Sequence, residues 1–215
     1  TYVKKFIWYP ALKRAQRSCE SKTEPGVLWI SSMGEGLRRL DSKTGVIKTY
    51  LHDKNNPNSI GHNQVRAVHE DDDGILWIGL GDGGYGGFES GKGGLDRFDP
   101  KTGIFQHYTF RNEDKPDFNW SVYAIHEDEQ GRLWFDTGPG GLFRSDRRKK
   151  NFEPYVITGT EGSELWLAPA NHRKALWVTD FTKKIMYPLD AGKDQYTSII
   201  KGDAAESVLE AESGY

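Results

Sequence analysis

Cysteine is almost missing from this chain. Cys19 is the only one in 215 residues, which rules out an intrachain disulfide framework and a zinc site built from clustered thiolates. A surplus of charge is missing too: 29 Lys and Arg stand against 31 Asp and Glu, leaving no basic excess to grip a phosphate backbone, so nucleic acid is not expected as a partner. No stretch approaches the roughly 18 consecutive apolar residues of a membrane helix, and no membrane insertion is predicted. Residues 1–14 lack the apolar run and small-residue cleavage site of a signal peptide, which leaves a cytoplasmic protein or a segment read without its leader. Enzyme signatures are lacking as well: there is no G-x-S-x-G elbow, no H-E-x-x-H and no phosphate loop, and GLGDGG (79–84) opens no helix. EDDDG (70–74) crowds carboxylates before a glycine, but a calcium loop starting at His69 would begin on an imidazole and put Leu80 at its twelfth position, so the stretch reads as a turn. No catalytic residue, cofactor or metal is predicted.

Glycine and aromatics are plentiful: 25 Gly, 7 Trp, 10 Tyr and 10 Phe make a mixture suited to short strands and tight turns. The aromatics fall in a pattern. GVLWISS (26–32), GILWIGL (74–80), GRLWFDT (131–137) and KALWVTD (174–180) align, making Trp29, Trp77, Trp134 and Trp177 equivalent, with separations of 48, 57 and 43 residues. A second element, GLRRLD (36–41), GLDRFD (94–99) and GLFRSD (141–146), starts 7, 17 and 7 residues after each tryptophan. Ten extra residues therefore lie within GDGGYGGFESGKGG (81–94). Removing them restores a period of roughly 47 residues. A third register agrees without adjustment, because Asp41, Asp99 and Asp146 each precede a tyrosine, Tyr50, Tyr108 and Tyr155, by nine residues.

Each copy reads as four short strands. In the second, VRAVHED (65–71), LDRFD (95–99) and IFQHYTF (104–110) alternate, ILWIG (75–79) is continuously apolar, and DDDG and PKTG supply turns. Four antiparallel strands per repeat predict an all-β fold, a β-propeller of four-stranded antiparallel blades. A blade has two apolar faces it cannot cover alone, so blades must stack, with tryptophans such as Trp77 between neighbours. Four blades are expected at about 12–51, 65–110, 121–157 and 164–200, with a partial fifth at 206–215, as one propeller or a fragment of one. The fourth is degenerate, its first turn ANHRK lacking glycine, and the pattern before Glu24 is poor for a first strand. An open ring would favour oligomerisation, because unpaired strand edges seek partners.

NNPNSIGHNQVRAVHEDDDGILWIGL (55–80), followed by GGLDRFDPKTGIFQHY (93–108), resembles the two-component regulator propeller repeat. The resemblance covers about residues 25–157 well and the fourth repeat loosely. It implies a non-enzymatic ligand-sensing or scaffolding role in a bacterial two-component sensor, outside the inner membrane, with an oligosaccharide, another small molecule or a protein as partner. Two other readings stand beside it: a propeller lyase or hydrolase similar to streptogramin lyases, and a structural protein-interaction platform.

In a propeller, the loops between blades and those between second and third strands share one face, where ligands bind. Residues 52–64, 111–120 and 81–94 would lie there. Within the insertion, Asp82, Tyr85, Phe88 and Glu89 offer a stacking surface and carboxylates suited to a sugar, against the plainer reading of a surface loop without a partner. His62 and Asn63 are candidate ligand donors, though such residues more often pin a loop by bonding its backbone. Arg111 and Trp120 would make a carbohydrate platform, packing between blades being the competing reading. His69 and His126 recur five residues before the turn glycine, which argues for packing over catalysis.

Overall fold

The computed structural model describes residues 15–81, 93–108, 110, 120–138, 140–146, 151–169, 175–190, 195–196 and 200–201. Their regular elements are all strands, in four antiparallel sheets. The first holds β1 (Ala15–Glu20), β2 (Val27–Ser32), β3 (Leu37–Asp41) and β4 (Ile47–Tyr50); the second β5 (Val65–Glu70), β6 (Leu76–Leu80), β7 (Gly94–Asp99) and β8 (Ile104–Tyr108). The third holds β9 (Ala124–Glu127), β10 (Leu133–Asp136), β11 (Leu142–Asp146) and β12 (Asn151–Tyr155). In the fourth, β13 (Leu165–Pro169), β14 (Ala175–Asp180) and β15 (Ile185–Asp190) are followed by two short pieces, β16 (Gln195–Tyr196) and β17 (Ile200–Lys201), both paired to β15. Of the outer strand expected over 195–200, the described residues hold these two pieces, paired to β15 one residue out of register with each other. The poor first-strand pattern has a local cause: β1 shifts register between Ala15 and Ser18, which breaks its alternation. The partial blade expected at 206–215 lies outside the described residues.

Sheets stack in chain order. β5 packs on β1 and β2, β9 on β5 and β6, and β13 on β9 and β10, so each blade's first strand lies against the two innermost strands of the blade before it. The repeated tryptophans fill the layers between. Trp29 and Trp134 are fully buried, and each of Trp29, Trp77 and Trp134 meets the tyrosine of its own repeat, Tyr50, Tyr108 and Tyr155, at ring separations of 6.1, 6.0 and 4.9 Å. Trp29 also reaches Phe98 of the second sheet at 6.0 Å, and Trp77 reaches Phe152 of the third at 5.8 Å. Such tilted and edge-on contacts add about 0.5–1.5 kcal/mol each beyond area burial.

Carboxylates tie turns to this aromatic layer. The first turn of the second blade is capped by Asp71, whose Oδ1 accepts the N–H of Asp73 and Ile75, while its Oδ2 takes the Trp77 indole N–H at 3.0 Å. Asp128 repeats the device in the third blade with Gln130, Arg132 and the Trp134 indole at 2.8 Å. EDDDG is accordingly a capped turn.

Three kinds of polar contact seal the junctions. Backbone bonds link the end of each second strand to the approach of the next blade: Met33 bridges Gln64, Val122 N–H donates to Leu80 C=O at 3.0 Å, and Leu165 N–H to Gly138 C=O at 3.3 Å. A buried Glu closing a first strand is met by the preceding blade, Glu70 by the hydroxyls of Ser21 (3.1 Å) and Thr23 (2.8 Å), Glu127 by His69 Nε2 (3.3 Å). Lys22, from the first blade, also reaches Glu127 of the third at 3.3 Å, which places their inner edges close together. Finally, Asp136 Oδ2 accepts the Leu167 N–H of the fourth blade at 2.8 Å. Full burial pushes the Asp136 carboxyl up to about 7, against the lowering effect of that amide.

Two outcomes follow from these junctions. Between the ordinary carboxyl value of 3.8 and about 7, the unfolded chain sheds the proton that native Asp136 keeps, so its contribution to stability is full below that window and declines as pH rises through it. Asp136→Asn, which keeps an acceptor for Leu167, should flatten the decline and raise the melting temperature at pH 7.5 relative to pH 4.5; parallel wild-type and variant profiles would contradict the account. At Gly79, an added methyl would stand 2.5 Å from the Val122 carbonyl oxygen, so Gly79→Ala should lower the urea unfolding free energy by about 1–3 kcal/mol without altering m.

Candidate ligand cleft

Residues 52–64 run from the first blade to the second, folded by their own side chains. Asp53 Oδ1 accepts the N–H of Asn55, Asn56 Oδ1 that of Asn58, and the Ser59 hydroxyl bonds Asp53 in both directions. Ile60, wholly buried in the core shared by the first two blades, plugs the segment down. His52 Nδ1 is bonded to the Ile60 carbonyl at 2.8 Å, and Asn63 Oδ1 accepts the His52 N–H at 2.7 Å.

The second blade holds the segment from the side. Asp96 on β7 and His107 on β8 are directly paired across the strands, with Nδ1 and Oδ1 2.7 Å apart. Asp96 Oδ2 takes the Gly61 N–H at 2.7 Å, and His107 Nε2 meets the Pro57 carbonyl at 3.0 Å. Asp96 is 2% exposed and His107 36%. The hydrogen bond to that carboxylate holds the His107 imidazole above its ordinary 6.5, outweighing the partial burial that would lower it. A Cβ at Gly61 would stand 3.1–3.2 Å from Asp96, His107 and Leu80, which suits glycine to this approach.

Between segment and blade lies a cleft of about 350 Å³, floored by Leu80 and Tyr108 and rimmed by His52, Lys54, His62 and Gly93. Gly93 and Gly94, the last two residues of the glycine-rich insertion, line the cleft together with residues from 52–62. His62 lines the cleft, its Nδ1 accepting the Gln64 N–H at 3.0 Å. Asn63 instead pins the loop, its carbonyl accepting the Gly36 N–H of the first blade at 2.9 Å in addition to its bond to His52. Trp120 corrects an expectation: it is 9% exposed, packed edge-on to Phe143 at 6.2 Å, and its backbone presses on Gly93. A ring so enclosed has no open face to offer a sugar. Asp82, Tyr85, Phe88, Glu89 and Arg111 lie outside the described residues.

Asp96 and His107 escaped the motif search, although a signal was present. At their repeat positions the first blade has Arg38 and Thr49, the third Phe143 and Pro154, so the paired Asp and His belong to the second copy alone. A joint departure at two facing positions marks something other than the repeat's own packing.

Strand order and blade stacking define a β-propeller. Within it, the two component regulator propeller repeat matches residues 59–82 and 117–138, so the chain carries repeats of that family. The fold is similar to the extracellular domain of a hybrid two-component system from B. thetaiotaomicron (TM-score 0.64, 17% identity, 92% of this chain and 25% of that one). It is also similar to virginiamycin B lyase from Staphylococcus aureus (0.62, 19%, 88% and 56%) and to an auxiliary nutrient binding protein from Bacteroides thetaiotaomicron (0.60, 12%, 87% and 41%). The chain thus spans a quarter to just over half of these structures. No curated protein matches it.

Asp96→Ala should test the cleft's anchorage. Losing one carboxylate acceptor strands the Gly61 amide and His107 together, for an expected cost of about 2–3 kcal/mol in urea unfolding. A change below about 0.5 kcal/mol would mean that Asp96 does not anchor the segment.

Proposed function

We propose that the chain is a ligand-sensing part of a β-propeller in a bacterial two-component sensor, exposed in the periplasm or outside the cell, with the cleft beside residues 52–62 contacting a small molecule or oligosaccharide. The carrying observation is a concave site walled by a loop whose backbone is bonded at four places, by Asp96, His107, His52 and Asn63, and is therefore built before a ligand arrives. The family repeat and the likeness to two-component extracellular domains support the sensor reading.

One observation favours a second reading. His107 and Asp96 form a histidine–carboxylate pair on the loop-rich side, as a lyase of propeller form would need, and a lyase is among the similar folds. Yet both imidazole nitrogens are engaged, one by the carboxylate and one by a backbone carbonyl, leaving no free nitrogen to move a substrate proton. A binding role accommodates that geometry and a general base does not.

Thermal-shift screening against neutral and acidic oligosaccharides and small nutrients tests the proposal. A ligand at a hundred times its Kd adds about 2.7 kcal/mol, which raises the melting temperature of a chain this size by several degrees. Lys54→Ala combined with His62→Ala should weaken the response at least tenfold. A flat panel, or a response the double variant leaves unchanged, would count against the cleft.

A further inference from the structure

We propose that His107 is a proton-operated clamp: doubly protonated, it ties residues 52–62 to the second blade and sets the wall of the cleft, and loss of one proton releases one of its two ties. The proposal concerns regulation of the cleft and rests on the binding reading only for its consequence, because the clamp belongs to the free chain.

A neutral imidazole has one N–H and one lone pair, whereas an imidazolium has two donors. Both nitrogens of His107 face groups that can only accept. Asp96 Oδ1 lies 2.7 Å from Nδ1, and Asp96 already receives the Gly61 N–H on its other oxygen, as an ionised carboxylate does. Pro57 C=O lies 3.0 Å from Nε2, and a carbonyl has no proton to give. Deprotonation of either nitrogen sets a lone pair against an oxygen. The Pro57 tie is the weaker of the two, since a hydrogen bond to a carboxylate is charge-assisted, so the loop is the side that lets go.

Among the described residues, the other charged and titratable groups on the cleft are His52, Asp53, Lys54, His62 and Tyr108. Asp53 is occupied in capping Asn55, His52 holds Ile60, and His62 takes the Gln64 amide. Burial keeps the Tyr108 phenol above its usual value and uncharged. The hydrogen bond to Asp96 is what most favours the charged imidazole. With the folded midpoint raised above 6.5, the clamp closes as pH falls and opens as pH climbs through that raised midpoint. Ligand affinity at the cleft would decline over the same range.

An NMR titration of the 215-residue chain from pH 5.5 to 9.5 tests this without any ligand. The His107 ring should titrate above 6.5, and the amide resonances of Gly61 and of residues 55–59 should move with the same midpoint, while the Trp29 and Trp134 indole signals stay still. In Asp96→Asn the midpoint should drop below its wild-type position, and the loop signals should follow it. In His107→Gln the transition that shared the His107 midpoint should vanish from the loop signals, whatever His52 and His62 still contribute, which decides the matter even if the Asp96 variant does not fold. A Gly61 resonance indifferent to His107 titration, or a His107 midpoint at or below 6.5, overturns the clamp. A chain that binds nothing in the screen leaves this result intact, and a loop indifferent to pH leaves the binding reading intact.

Discussion

A four-stranded blade this small has two apolar faces and cannot cover either by itself, so burial of each sheet against the next is the condition for everything else in the molecule. The tryptophan on each second strand meets that condition in part. Trp29 and Trp77 each meet a tyrosine of their own blade and a phenylalanine of the next, the three rings clustering together, which makes the repeat's most regular residue the joint between units. Backbone bridges and buried carboxylates then fix how far one blade turns on its neighbour. Because Asp71 and Asp128 hold both a turn and an indole, the polar and apolar parts of each joint are positioned together.

Function, on this account, is placed where the repeat is broken. The second blade keeps the joint residues and changes two others, Asp96 and His107, which face each other on its outer strands and reach over to the segment arriving from the first blade. The cleft is thus a product of one blade's deviation on a scaffold whose regularity keeps it in place. The same blade carries the long insertion, whose last glycines border the cleft and let the Trp120 backbone pass close behind.

Much of the architecture was legible because strands announce themselves through local alternation, and a fixed spacing of LW pairs repeats that announcement. Four features were not. The one-residue register offset between β16 and β17 leaves no trace in QYTSII, where alternation alone suggests one strand. The enclosure of Trp120 depends on Phe143 and Gly93, residues far from it along the chain. Asp96 and His107 are eleven residues apart and unremarkable singly; only β7–β8 register puts one against the other. His62 and Asn63 were picked out together, yet one lines the cleft and the other bonds the loop.

Repeat length, strand number per blade and the residues of the joints were written in the chain, since each depends on neighbours a few positions away or on a periodicity that survives insertion. Which polar side chains meet, which aromatic is enclosed and how the inter-blade segment is held were settled only when distant strands came into register. Those outcomes turn on distances of a few ångströms between residues that the linear order keeps apart.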